Sequence, residues 1–102
     1  SSSAASDVYK RQLWDRAQGL RDPARRIETW RKIVTLHPRH RYAPQALLMI
    51  GFACVEEIGD TVAARDAYRE LIASYPHSAS AGSARFLLDE LDGKAPVALP
   101  GD

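Results

Sequence analysis

Cysteine is nearly missing from this chain of 102 residues: Cys54 stands alone, so no disulfide can close within it, and the redox compartment stays open. No apolar run approaches the ~20 residues that a membrane-spanning helix requires. Charge of one sign is not in excess either, since 14 Lys+Arg face 13 Asp+Glu for a net of +1, whereas a nucleic-acid module is usually basic overall. A glycine-rich phosphate loop and a Gly-x-Ser-x-Gly turn are both lacking. Glu56 and Glu57 are adjacent, point in different directions from a helix, and cannot face each other as acid and base. His37 and His40 have ligand-like spacing, but Pro38 lies between them in a turn, Cys54 falls on an apolar helix face, and His77 is remote. The chain is therefore expected to be no enzyme, with no catalytic, cofactor-binding or metal-binding residues.

What the chain does have is a 45% hydrophobic content, ordinary for one globular domain and too high for a wholly disordered chain. Its ends stand apart from this. Residues 1–12 lack the apolar core of a signal peptide and are expected to be a non-native or disordered segment, the chain itself a fragment. Residues 92–102, with two prolines and two glycines, are expected to form a flexible tail.

Between them, over residues 13–91, every apolar spacing is helical. Leu13, Trp14, Ala17 and Leu20 predict a short first helix ending near Gly19. Asp22 and Pro23 then open a second, with Ile27, Trp30, Ile33 and Val34 on one face, which stops before Pro38. A third carries Ala43, Ala46, Leu47, Ile50, Cys54 and Ile58 and ends at Gly59. Asp60 caps a fourth, with Ala64, Ala67, Tyr68, Leu71 and Ile72; Ser78 caps a fifth, with Ala81, Ala84, Leu87, Leu88 and Leu91. Short turns favour antiparallel neighbours, and helices with one apolar face must stack.

The chain also resembles itself at an offset of 38 residues: Asp22, Arg31, Pro38, Ala43 and Ala46 meet Asp60, Arg69, Pro76, Ala81 and Ala84. Trp30 meets Tyr68, Ile33 meets Leu71, and Ile50 meets Leu88. Such a period marks a helical repeat. From Ala46 to Pro76, the residues Leu47, Ile50, Gly51, Ala64, Tyr68, Leu71 and Pro76 resemble the tetratricopeptide repeat (TPR) family, in a longer-period form common in bacterial envelope proteins. The spacing exceeds the family's ~34 residues, with about three extra residues before Ala46 and one before Gly59; Arg26 replaces a small residue in the earlier pair. The resemblance implies an all-α fold: antiparallel helical hairpins stacked as a short right-handed TPR-like solenoid, with the fifth helix as a C-terminal cap or the start of a further repeat. It also implies a non-catalytic scaffold for protein–protein interaction, and a bacterial cell envelope or periplasmic location.

In that family the first helix of each pair lines a concave groove, which here points to Gln45, Leu48, Met49, Phe52, Val55 and Glu56 as the partner-binding residues. Leu48 and Phe52 add a second apolar face beside that of Leu47, Ile50 and Cys54, beyond the ~100° stripe that one-sided burial needs. A neighbouring helix could equally cover that surplus. Charge leaves a further alternative: residues 1–51 are net +6 and residues 52–102 net −5, so the basic half could bind nucleic acid or an anionic surface, or be simply a solvated face. A structural spacer for an upstream domain is the third reading.

Overall fold

Short polar caps punctuate the chain where the sequence places them. The computed structural model describes residues 2–93, with side chains described from Ser6 onward. It contains α1 (Ser2–Gly19), α2 (Pro23–Leu36), α3 (Tyr42–Ala53) running into a π-helical turn (Cys54–Ile58), α4 (Thr61–Ser74) and α5 (Ala79–Leu91). Among the described residues there is no strand, so the fold is all-α, and no helix is long and apolar enough to cross a membrane. Asp22 accepts a hydrogen bond from the Ala24 N–H, Asp60 from the Ala63 N–H and Ser78 from the Ala81 N–H. Each satisfies a donor that the first helical turn would leave orphaned.

Two boundaries differ from expectation. The first helix does not begin near Leu13: it runs back to Ser2. Ala4, Ala5, Lys10, Arg11 and Gln12 are good helix formers, Ser2, Ser3, Ser6, Asp7, Val8 and Tyr9 are poorer ones, and no apolar periodicity announces the extension. Tyr9 then sets its ring edge-on to His37 at 6.2 Å. The third helix also does not end as a regular α-helix. Its last turn widens, and the Cys54 carbonyl accepts from both the Gly59 and Asp60 N–H groups. Gly59 closes the turn at φ 78°, a left-handed conformation that favours glycine. The expected tail falls outside the described residues from Lys94 onward.

The 38-residue offset reappears in the helix bounds and in the turns that close them. Moving α2 by 38 positions reproduces the bounds of α4, both 14 residues long. Both end on the same backbone conformation, φ −133° and ψ 55° at His37 against φ −132° and ψ 55° at Tyr75. The turns that follow match too: His40 N–H donates to the His37 carbonyl and Ser78 N–H to that of Tyr75. Trp30 and Tyr68, the paired aromatics, are 2% and 1% exposed. Ile33, Leu71, Ala43, Ala81, Ala46 and Ala84 are all buried.

Chain neighbours pack antiparallel. Tyr9 of α1 meets His37 at the far end of α2, Arg26 at the start of α2 pairs with Glu57 at the end of the third helix, and Arg65 early in α4 pairs with Asp92 after α5. Helices two apart also touch. Trp14 of α1 stacks on Tyr42 of α3 at 5.2 Å, α3 packs on α5, and Arg31 of α2 donates to both carboxylate oxygens of Glu70 of α4 at 2.9 and 3.0 Å. The Tyr75 hydroxyl donates to the Pro38 carbonyl, tying one turn proline segment to the end of the next unit. One apolar core runs through all five helices, and Tyr68, Ile33, Leu47 and Leu71 are its largest fully buried side chains.

The junction of α1 with the turn before α3 holds a half-enclosed histidine. His40 Nδ1 accepts from the Tyr42 N–H at 3.2 Å, its ring lies 4.7 Å from that of Tyr42, and Nε2 is 3.7 Å from Asp7. Burial, then the nearby charges of Lys10 and Arg41, lower its pKa from 6.5; Asp7 opposes them and His37 adds to them. A lowered value means that the unfolded chain takes up a proton before the folded one does. Stability should therefore be full above pH 6.5 and decline as the pH falls below it. Thermal melts followed across this range should show that decline flattened in His40→Asn, which keeps an acceptor but cannot titrate.

Candidate binding groove

Phe52 is the centre of the candidate site. At 46% exposure it is among the most exposed large apolar side chains of the third helix, although Ala53 and Cys54 beside it are buried. It sits between two clefts. One, of ≈ 410 Å³, is lined by Gln18 of α1, Arg26 and Trp30 of α2, and Met49, Phe52 and Glu57. The other, of ≈ 110 Å³ and more enclosed, is lined by Phe52, Val55 and Glu56, Tyr68 of α4, and Leu87, Glu90 and Leu91 of α5.

The two clefts are related by the 38-residue repeat. Gln18 corresponds to Glu56, Trp30 to Tyr68, Met49 to Leu87 and Phe52 to Glu90. Each thus has a buried aromatic at one wall and the helices on either side of it for the others. Their polar groups differ. In the first, Arg26 is spent: its guanidinium pairs with Glu57, donates to the Leu20 carbonyl at 3.0 Å and lies 5.9 Å from the Trp30 ring centroid. That is how the chain accommodates an arginine where the second unit has Ala64. The Trp30 indole N–H is buried without a hydrogen-bond partner among the described residues. In the second cleft burial, with Cys54, Glu56 and Glu90 adding to it, pushes the Tyr68 phenol up to about 12, so it stays protonated.

Of the six residues predicted for a groove, Met49, Phe52, Val55 and Glu56 line these two clefts. Leu48 is half-buried against the core, and Gln45 is exposed; neither lines them. Sequence reasoning missed the walls contributed by other helices, Gln18, Trp30, Leu87, Glu90 and Leu91. The i, i+4 spacing of Leu87 and Leu91, with Glu90 between them, was the available signal.

A more voluminous cleft, ≈ 530 Å³, lies elsewhere, lined by Tyr9, Glu28, Arg31, Lys32, Thr35 and Leu36. Its Arg31 is already engaged by Glu70. Nothing buried and unpartnered opens on it, so volume alone does not make it the better candidate. Among the described residues no group of three His, Cys, Asp or Glu is placed to hold a metal ion. Cys54 is buried, and burial, with Asp60 adding to it, raises its thiol pKa against a smaller opposing effect of Arg31, so it is not poised as a nucleophile.

No protein-family model, curated protein or solved structure gives a significant match to the chain.

Proposed function

We propose that this chain is a TPR-like scaffold that holds a peptide or helix of another protein across the face centred on Phe52. The observation that carries the reading is Phe52 itself: a large apolar side chain left 46% exposed between two repeat-related clefts. Contacts of α1 with α3 and α3 with α5, and separately of α2 with α4, support two layers of helices and hence a stacked arrangement with one lining layer. The small Gly51 beneath Tyr68 and the widened turn before Gly59, where the longer period has an extra residue, support the family reading.

Charge favours a peptide over a nucleic acid. Arg26 and Arg31 of the basic half are paired with Glu57 and Glu70 of the acidic half, so part of the apparent basic patch is consumed inside the fold. Phe52→Ala should weaken binding of peptides selected from a random library by at least about tenfold, as loss of a central aromatic anchor does. Fluorescence anisotropy measures the binding, and circular dichroism should show helicity and melting largely intact. An unfolded variant would make Phe52 part of the core. Steep weakening by salt, without dependence on Phe52, would instead indicate phosphate binding by the basic half.

A further inference from the structure

The two clefts beside Phe52 share a plan but not a charge. Where the first has Gln18 and the self-neutralised pair Arg26–Glu57, the second has Glu56 and Glu90, which pair with no cation among the described residues. Arg65 of α4 is committed to Asp92 at 2.8 Å. Tyr68 is 1% exposed, lines the same cleft, and its hydroxyl has no hydrogen-bond partner among the described residues. Its oxygen is not fully enclosed, so this hydroxyl is open to bond with whatever enters the cleft.

From this juxtaposition we infer that the second cleft is a subsite for a lysine or arginine side chain of the bound peptide. Phe52, Val55, Leu87 and Leu91 offer apolar walls to the methylene stem, while Glu56 and Glu90 meet the cationic head and the Tyr68 hydroxyl accepts from it. The volume of ≈ 110 Å³ suits one such side chain rather than a folded element. The first cleft, with its ion pair closed on itself, takes the neighbouring apolar side chain. Specificity for a basic peptide is thus built into one half of the groove and not the other.

The inference rests on the groove reading, and the test separates the two. A library of random twelve-residue peptides is selected against the wild-type chain, and enriched sequences are measured by fluorescence anisotropy. Lysine or arginine beside an apolar residue should be enriched. Replacing that lysine by norleucine should weaken binding about tenfold, and Glu56→Gln with Glu90→Gln should do the same, two partly exposed charge pairs together accounting for about that factor. On the doubly substituted chain the norleucine peptide should lose nothing further, and Asp89→Asn, exposed on α5 but lining neither cleft, should leave the affinity unchanged. Glu56 and Glu90 are exposed, so circular dichroism should show the fold retained. Peptides that need Phe52 but bind equally well without the two carboxylates would overturn the subsite and leave the groove. Failure to select any peptide that depends on Phe52 would overturn both.

Discussion

Tyr68→Ala should lower the stability of the fold by roughly 3–5 kcal/mol, the cost of truncating a large buried aromatic. The side chain is 1% exposed, lies in the one core that joins all five helices, and is the largest of the fully buried side chains. Its ring rests on Gly51 of the third helix, so its removal leaves a void between α3 and α4 that helix backbones cannot collapse to fill. Chemical denaturation, monitored by circular dichroism, measures the loss. For a domain whose total stability is of order 5–15 kcal/mol, the variant would be marginal or unfolded at physiological temperature. A cost near zero would show that Tyr68 is not where the two units join.

Gly51→Ala should be destabilising by about 2 kcal/mol although alanine is the better helix former. In an open helix the exchange would favour folding by about 1 kcal/mol. Here a Cβ on Gly51 would stand 2.4 Å from Cε1 and 2.8 Å from Cδ1 and Cζ of Tyr68. Those are ring atoms of a fully buried residue and cannot swing aside, so the helix must back away from α4 and the overpacking cost exceeds the propensity gain. Gly82 of α5 is the internal control: nothing lies within 4 Å of its Cβ position, and Gly82→Ala should stabilise. Adding Tyr68→Leu to Gly51→Ala should cost less than the two changes separately, by about 1 kcal/mol or more, because the smaller side chain removes the clash. Denaturant midpoints of the four variants decide it. Stabilisation by Gly51→Ala would remove the ring from beneath α3.

The features legible in the sequence were those with local causes. Asp22, Asp60 and Ser78 cap helices by bonding to backbone two or three residues away, and Pro38 and Pro76 stop them by the chemistry of their own rings. The 38-residue offset was likewise visible, because buried positions admit few substitutions between units. The helical continuation over residues 2–12 was not visible, since a stretch without an apolar stripe leaves no periodic trace. Nor was the π turn, a departure of backbone hydrogen bonding that side-chain spacing does not encode. The candidate groove was half legible: of the surplus apolar face read as Leu48 and Phe52, Phe52 lines both clefts and Leu48 neither, because a cleft belongs to several helices at once. Leu87 and Glu90 enter it only because α5 packs on α3. Arg26 shows the same limit. Read alone it is a misfit at a small-residue position; folded, it bridges Glu57 and the Leu20 carbonyl.

The matching ends of α2 and α4 carry one more consequence. Since His37 and Tyr75 hand the chain onward in the same backbone pose, and Asp22 and Asp60 receive it by the same kind of cap, whatever rotation and translation superposes one helix on the other could be applied again. Lengthening the protein by tandem duplication of 38 residues would then require no new joint. On the proposed stacked reading, each added copy would add one cleft, its preference set by the residues at the positions of Glu56 and Glu90.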